Sequence, residues 1–270
     1  MIYKIAAMVL VFIILVAIFA PLLAPYDPNS VNTGNRLEGL SKEHVFGTDA
    51  LGRDVLSRII YGARVSVSFA LVATVCTMIV GVLLGTLGGY FGGRLDRGIQ
   101  VLVNIFQGLP GMSMMIAIAG TMGPSTGSLL LAITLTSWAG FSRIVRGEIL
   151  KVREESYIEG TRSMGASHFY IIVHDVLPNI FGPFIVLFTV RIGTVVLSVA
   201  SLSFLGLGIQ PPQADWGVMV NDAKTYFRSY PNLLLAPGLC ILSLCASINL
   251  VGDAMRDYFS IKDSFNKQYL

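Results

Sequence analysis

Long apolar runs separated by short polar stretches dominate the pattern of this chain. About 20 apolar residues cross the hydrocarbon core of a bilayer, and each run is long enough for at least one helix. The charge-free run 99–142 is too long for one helix, and its glycine-rich stretch 120–127 divides it into two. The other runs are 5–24, 65–93, 180–208 and 233–251. The pattern predicts an all-α integral membrane protein with six transmembrane helices.

The first run has a competing interpretation as a cleaved signal peptide, with Lys4 as its basic start. The run is longer than a usual signal-peptide core, and no clear cleavage site of small residues follows it. We therefore expect a transmembrane helix at this position.

Composition supports lipid as the main solvent of the chain. Hydrophobic residues make up 54% of it, charged residues only 13%, and the mean hydropathy is +0.70, whereas soluble domains carry about 25% charged residues. The net charge of +3 is small, so no nucleic-acid partner is expected. The expected location is the cell inner (cytoplasmic) membrane, with several crossings.

The basic residues predict which loops face the cytoplasm. The loop 120–128 has no charge, whereas the loop 142–175 is basic. Its basic residues are Arg143, Arg146, Lys151, Arg153 and Arg162. Because cytoplasmic loops are enriched in Lys and Arg, we place this loop and both termini in the cytoplasm.

The basic loop also has the signals of two short helices. Residues 153–164 are compatible with a helix that Gly165 ends in a left-handed turn. Ser167 is a good N-cap for a second helix over 168–177, after which Pro178 turns the chain into the next span. In the second helix Phe169, Ile172, Val173 and Val176 recur at helical spacing. These residues alone leave two interpretations open, a docking surface for a soluble partner or an amphipathic helix on the inner membrane surface.

Polar residues inside the predicted spans are candidates for a transport pathway. Arg191 lies within the fifth span, where a charge near the bilayer centre costs at least about 2.5 kcal/mol. It either lines a pathway or lies nearer the interface and extends its side chain to water. Gln100, Asn104 and Gln107 share one face of the third span, which predicts contact with another subunit or a pathway.

Two further predictions concern the external side. Residues 51–64 alternate apolar and charged side chains, which predicts an interfacial amphipathic helix with Arg53, Asp54 and Arg58 between its apolar positions. Trp216 follows the fifth span and is expected at the outer membrane interface.

The chain lacks the signals of catalysis and of metal binding. It contains no phosphate-binding loop of the Gly-x4-Gly-Lys-Ser/Thr type and no nucleophile–base arrangement. Cys76, Cys240 and Cys245 lie in apolar segments without disulfide or zinc spacing. We therefore expect no catalytic residue, no metal site and no cofactor in this chain.

The spacing of Glu159, Gly165, Leu177 and Pro178 resembles the cytoplasmic coupling loop of ABC importer permeases. The chain departs from the usual pattern at Gly160 and Thr161, where two alanines are common, and at Asp175, where isoleucine is common. The resemblance implies a type I permease fold and a coupling loop over about 150–178. Its site residues would be Glu159, Gly165, Ala166, Ser167, Leu177 and Pro178.

Three other blocks resemble the dipeptide, oligopeptide and nickel permeases, and specifically the second of their two permease subunits. The blocks read HVFGTDALGRDVLSRIIYGAR over 44–64, SLSFLGLGIQPPQADWG over 201–217 and INLVGDAMRD over 248–257. The resemblance implies a second homologous permease chain, two ATP-binding subunits that hold ATP and magnesium, and an external substrate-binding protein. Peptides and nickel complexes both remain open as cargo.

These predictions divide the chain into three parts. Residues 1–64 hold the first span and the external loop, 65–257 form the permease core, and 258–270 form a cytoplasmic tail. An ion-coupled transporter that works without an ATPase is the rival function; such transporters usually show internal repeats and broken helices near the midplane.

Overall fold

The computed structural model describes residues 1–268, and helices account for nearly all of its regular structure. The helices are α1 (Ile2–Ile18), α2 (Ala20–Leu23), α3 (Val55–Phe91), α4 (Gly93–Gly108), α5 (Gly111–Met122), α6 (Thr126–Arg153), α7 (Ser156–Ser163), α8 (His168–Tyr170), α9 (Phe181–Phe204), α10 (Trp216–Ala223) and α11 (Asn232–Gln268). A 3₁₀ turn covers Thr33–Asn35, and a π-helical segment covers Ile171–Val176. The prediction of an all-α protein is confirmed.

The number of membrane spans is lower than the sequence pattern predicts. Among residues 1–268, four helices are long and apolar enough to cross a membrane: α3, α6, α9 from Phe184 and α11 up to Tyr258. A fifth span results if α4 and α5 count as one, and α1 is apolar but only 17 residues long. The predicted total of six spans is therefore not confirmed.

The third predicted span is broken at Pro110. Helices α4 and α5 meet at an angle of 88° across a short break. Leu109 precedes the proline and is extended, with φ −95° and ψ 141°, because the proline ring disfavours a helical conformation at the residue before it. The chain therefore changes direction sharply between the polar face of α4 and the methionine-rich α5.

The predicted interfacial helix over 51–64 is wrong. Residues from Val55 onward are the first turns of α3, which continues without a break to Phe91. Asp54 caps this helix by accepting a hydrogen bond from the Ser57 backbone N–H at 2.7 Å. Arg53 and Arg58 are buried, because they form ion pairs with Asp49 inside the protein instead of extending into water. The division of the chain at 64/65 stays a prediction, but that boundary lies inside one helix.

Trp216 also differs from its predicted place. It is only 2% exposed, and its indole Nε1 donates a hydrogen bond to the Ile59 carbonyl oxygen at 2.9 Å. A side chain at Gly62 would collide with the indole ring, since an added Cβ would lie 2.5 Å from it. The tryptophan therefore joins α10 to α3 rather than lying at the lipid interface.

Helices α3 and α6 pack against each other through a stripe of glycines. Gly81, Gly85 and Gly89 recur every four residues on α3 and face Phe141, Val145 and Ile149 on α6. A Cβ at Gly85 would lie 2.8 Å from the Ser142 carbonyl oxygen. Small residues at this spacing allow two helix backbones to approach closely, which is how helices gain packing energy in lipid.

Apolar side chains of the described residues form a large core, a smaller one at the Phe91 end of α3, and a third cluster around Val103 of α4 and Trp138 of α6. The large core joins α1, α3, α5, α6, α9, α10 and α11. The smaller one joins Tyr90 of α3 and Ile149 of α6 to Ile158, Ile171 and Val176, all of which are buried. This second core fixes the segment between α6 and α9 to the helical bundle.

We expect Gly85→Val to lower the stability of the chain by about 1–3 kcal/mol, since the added side chain has no space against α6. Gly98→Ala in α4 is the matched control, because nothing lies within 4 Å of an added Cβ there. The stability of both variants is measured by thermal unfolding in detergent, with size-exclusion chromatography to monitor the fraction that remains folded. A Gly85→Val protein as stable as the control would contradict the close packing of α3 on α6.

Candidate functional site

The segment between α6 and α9, residues 154–180, has a well-defined local structure. Helix α7 ends at Ser163 with Met164 as its C-cap, and the next residue, Gly165, has a φ of +82° in the left-handed region. The Gly165 N–H donates to the Arg162 carbonyl at 3.0 Å, and the Ala166 N–H donates to the Thr161 carbonyl at 3.3 Å. This pair of hydrogen bonds defines a Schellman motif. Ser167 then caps α8 by accepting from the Tyr170 N–H at 3.2 Å. The turn at Gly165 and the cap at Ser167 are as predicted.

The second helix of this segment differs from the prediction in its periodicity. After α8, residues Ile171–Val176 are π-helical, and the Leu177 N–H donates to the Ile172 carbonyl five residues earlier. In a π-helix the buried positions repeat every four to five residues, and here they are Ile171 and Val176. The four apolar residues therefore do not share one face: Phe169 and Val173 are exposed, whereas Val176 is buried.

Contacts with α3 and α6 hold the segment in place. The Tyr90 hydroxyl and His168 Nδ1 share a hydrogen bond of 3.0 Å. Arg153, at the end of α6, donates from Nη1 to the carbonyls of Gly89 at 3.1 Å and Tyr90 at 3.2 Å. Carbonyls in the last turn of a helix have no hydrogen-bond donor within the helix. Arg153 supplies a donor to two of these carbonyls in α3 and thereby connects α3 to α6.

The outer surface of the segment is exposed and partly apolar. Met164 is 81% exposed and Phe169 is 75% exposed, and neither has a role in either core. Exposed apolar side chains on a firmly packed segment suit contact with another protein or with the membrane surface.

The acidic side of this surface lies on α7. Glu155 and Glu159 are exposed there. Burial raises the pKa of the neighbouring Tyr157 phenol, and the charges of Glu155 and Asp175 add to the effect. The phenol is neutral at physiological pH even without this rise in pKa, so it can donate a hydrogen bond.

The predicted site residues divide between the surface and the base of the segment. Glu159, Gly165, Ser167 and Pro178 are exposed. Ala166 and Leu177 pack against the smaller core. The structure places all of them in one segment, and their role in coupling stays a prediction.

Arg191 lies within α9, about 10 Å along the helix from Phe184, where the apolar part of α9 begins. Its side chain is partly exposed, and its Nε is buried without a hydrogen-bond partner among the described residues. Thr194, Ser198 and Ser201 follow it on the same helical face and are also at least partly exposed. Sequence reasoning singled out Arg191 alone, although the spacing of these hydroxyl residues was a readable signal.

The other predicted polar residues lie on α4. Asn104 and Gln107 are exposed, and the Asn104 Oδ1 accepts a hydrogen bond from Arg143 Nη2 at 2.7 Å. One turn further along α6, Arg146 forms a two-armed ion pair with Asp96, with both nitrogen–oxygen distances at 2.6 Å. Sequence reasoning missed this pair because the residues are far apart in the chain. Among the side chains that the structure describes, no group of three or more His, Cys, Asp or Glu is arranged to hold a metal ion.

Two protein families match this chain by sequence. Residues 78–262 match the family described as the binding-protein-dependent transport system inner membrane component. Residues 4–39 match the N-terminal transmembrane domain of oligopeptide transport permease C.

Individual relatives are similar over most of their length. The chain is 40% identical over 244 residues to the dipeptide transport system permease protein DppC of Alkalihalophilus pseudofirmus, covering 90% of this chain and 80% of the relative. It is 37% identical over 253 residues to the glutathione transport system permease protein GsiD of Pectobacterium atrosepticum, covering 93% and 84%.

Solved structures share the fold at low sequence identity. One is an inward-facing conformation of the MetNI methionine ABC transporter, with a TM-score of 0.61, 18% identity and coverage of 75% of this chain and 96% of the other. Another is an amino acid ABC transporter with histidines, with a TM-score of 0.59, 13% identity and coverage of 75% and 94%. These likenesses show the fold of an ABC importer permease.

We expect Gly165→Ala to strain the turn after α7 by about 1–2 kcal/mol, because a side chain disfavours the left-handed region. Gly160→Ala is the matched control, since Gly160 lies inside α7 with open space around it. Hydrogen exchange of the amides of 166–176 measures the effect, and faster exchange is expected only for Gly165→Ala. Equal exchange in the two variants would contradict a turn that depends on this glycine.

Proposed function

Since the chain belongs to the family of binding-protein-dependent transport system inner membrane components, we propose that it is the second permease subunit of an ATP-driven importer of short peptides. The family establishes a multi-pass protein of the inner membrane. The proposal adds the cargo, the partners and the roles of individual residues. The two relatives named above are a dipeptide permease and a glutathione permease, which favours short peptides over nickel complexes.

The exposed surface of the 154–180 segment is the observation that carries this proposal. Phe169 and Met164 protrude from a segment whose other face is buried in the smaller core. A soluble partner with an apolar cleft would cover them, and the family supplies such a partner as an ATP-binding subunit. Each of two permease chains would offer one such segment, so two ATP-binding subunits complete the assembly.

The anchoring of the segment explains how it would transmit force. Tyr90 and Arg153 join it to the ends of α3 and α6, which pack closely along the glycine stripe. Helix α3 has 37 residues, so it extends about 55 Å. When ATP binding draws the two ATPases together, the segment would move with α3 and α6 as one body and rock the bundle.

The sidedness of the chain follows from the same assignment. If the 154–180 segment meets cytosolic ATPases, the Phe91 end of α3 is cytoplasmic and the Val55 end is external. The basic residues of the loop 142–175 favour the same orientation. The Val55 end would then face the external binding protein that delivers the peptide.

The translocation pathway would lie between this chain and the second permease chain. The partly exposed face of α9, with Arg191, Thr194 and Ser198, is polar where lipid would be costly. Asn104 and Gln107 give α4 a similar polar face. We assign these faces to the pathway or to the contact between the two permease chains.

ATP and magnesium would be held by the partner subunits. This chain has no phosphate-binding loop, and its own contribution to the transport cycle is mechanical. Peptide uptake that proceeds without any ATP-binding subunit would contradict the proposal and favour the ion-coupled alternative.

We expect Phe169→Asp to weaken the binding of the ATP-binding subunits at least tenfold, since a central aromatic anchor contributes about 2 kcal/mol or more. ATP-dependent peptide uptake in proteoliposomes falls with it. Leu40→Asp is the matched control, because Leu40 is 69% exposed in the loop before α3, at the opposite end of the molecule. Co-purification of the ATP-binding subunits measures the difference, and undiminished binding to Phe169→Asp would contradict the assignment.

We expect Arg191→Ala to lower the rate of peptide uptake at least about fivefold, because a charged hydrogen-bond donor is lost from the pathway. Arg191→Lys retains the positive charge, so we expect it to retain part of the uptake rate. Arg94→Ala, at an exposed position near the start of α4, controls for the removal of a cation. Uptake of labelled dipeptide per assembled complex is the measurement, and an unchanged rate in Arg191→Ala would remove this residue from the pathway.

A further inference from the structure

A cavity of about 410 Å³ opens at the Val55 end of α3, opposite to the 154–180 segment. The start of α3, the loop before it and α10 with the turn that follows form its walls. Its volume is typical of sites that bind small molecules. Charged residues are concentrated in it: Asp49, Arg53, Arg58, Asp222 and Lys224.

Two arginines form the deep wall of this cavity. Arg53 and Arg58 have side chains that are only 5% and 1% exposed. Asp49 forms an ion pair with each of them: its Oδ2 lies 2.6 Å from Arg53 Nε and 3.6 Å from Arg58 Nε. One carboxylate therefore stands between two buried guanidinium groups, and the deep wall remains positively charged.

Arg58 has a donor that the described residues leave unused. Its Nη1 donates to the Pro28 carbonyl at 3.1 Å, whereas its Nη2 is buried without a partner among the side chains that the structure describes, those of 1–182 and 184–258. A buried charged donor without an acceptor is costly. An acceptor of negative charge bound in the cavity would satisfy it.

The more exposed part of the cavity holds one carboxylate, Asp222, and one ammonium group, Lys224, which donates to Asn221 Oδ1 at 2.8 Å. Asp222 is 38% exposed and meets Arg53 Nη2 only at 3.4 Å. Burial raises the pKa of Asp222, and the nearby Arg53 and Arg58 act against this rise. Its carboxylate is loosely held, so it can turn from Arg53 to an incoming ammonium group.

We propose that this cavity binds a short peptide with free ends, whose terminal carboxylate is held by Arg58 and Arg53 and whose amino group is held by Asp222. The buried arginine pair and the more exposed Asp222 carboxylate are complementary to the two charges of a zwitterion, while Lys224 is engaged with Asn221. Val55, Met219 and Leu233 also line the cavity and provide apolar contacts for a small side chain. The identity of the ligand as a peptide rests on the proposed function; the charge complementarity does not.

The volume of the cavity favours a peptide over an acidic side chain of an external protein. A single carboxylate side chain would fill only a small part of about 410 Å³ and would leave Asp222 without an ammonium partner. A dipeptide occupies both charged regions at once. The site would lie on the external side, where peptide first meets the permease.

Binding of alanyl-alanine to the importer in lipid nanodiscs, without the external binding protein, tests the proposal. Equilibrium dialysis compares the free acid with its C-terminal amide. We expect the acid to bind at least about tenfold more tightly, since the charge-assisted hydrogen bonds need the carboxylate. Arg58→Lys should reduce this preference to below about threefold, whereas Arg228→Gln, at an exposed position outside the cavity, should retain it.

Asp222→Asn provides a second test should Arg58→Lys fail to fold, which thermal unfolding reveals. This variant should weaken alanyl-alanine about tenfold and leave N-acetyl-alanyl-alanine, which has no ammonium group, unchanged. Equal binding of acid and amide by the unmodified chain would overturn the proposal. So would cavity variants that leave peptide binding intact but weaken capture of the external binding protein, since its own side chain would then be the occupant.

The two proposals fail separately. ATP-dependent uptake and co-purification of the ATP-binding subunits are measured in the same preparation. Loss of both in the unmodified chain overturns the proposed function, whereas intact uptake without any carboxylate preference overturns the cavity assignment alone.

Discussion

The close approach of α3 to α6 along the glycine stripe is the contact on which the rest of the structure depends. Lipid tails are as apolar as leucine, so burial alone does not drive two helices together in a membrane. Gly81, Gly85 and Gly89 replace that driving force with backbone proximity and dense packing against Phe141, Val145 and Ile149. Because α3 and α6 lie together over this length, displacement of one carries the other with it.

Polar contacts at the two ends of α3 connect this pair to the two proposed sites. At the Phe91 end, Arg153 satisfies the last carbonyls and Tyr90 bonds His168. At the Val55 end, Asp54 caps the helix, and Arg53 and Arg58 lie buried against Asp49. One helix thus reaches from a surface suited to a soluble partner to a charged cavity on the opposite side. A movement at one end has a continuous packed route to the other.

The faces that this chain leaves open have a consistent chemical character. Apolar side chains such as Leu71, Ile79 and Leu83 are exposed on α3, as expected for contact with lipid or with a second permease chain. Polar faces are also left open, at Arg191 on α9 and at Asn104 on α4. A polar face in a membrane requires water or protein beside it. A pathway shared with a second chain meets this requirement for both helices.

Local chemistry accounts for what the sequence predicted well. The all-α class, the left-handed turn at Gly165 and the cap at Ser167 each depend on a few neighbouring residues whose conformational preferences are strong. Family membership also followed from the sequence, because motifs such as that of 44–64 are long enough to be specific. The glycine spacing on α3 was readable in the same way and was overlooked.

Tertiary structure decided the rest, because distant residues determine which side chains are buried. Arg53 and Arg58 read as the polar face of an interfacial helix, yet ion pairs with Asp49 bury them. Trp216 read as an interface anchor, yet the Ile59 carbonyl and the space at Gly62 hold it inside. The π-helical segment places Ile171 and Val176, five residues apart, on its buried face. A sequence pattern read with the α-helical repeat does not pair these two residues. The sequence by itself determined the solvent of this chain, its helices, its family and its turns; only packing between remote segments decided which charges face a cavity and which apolar side chains remain exposed.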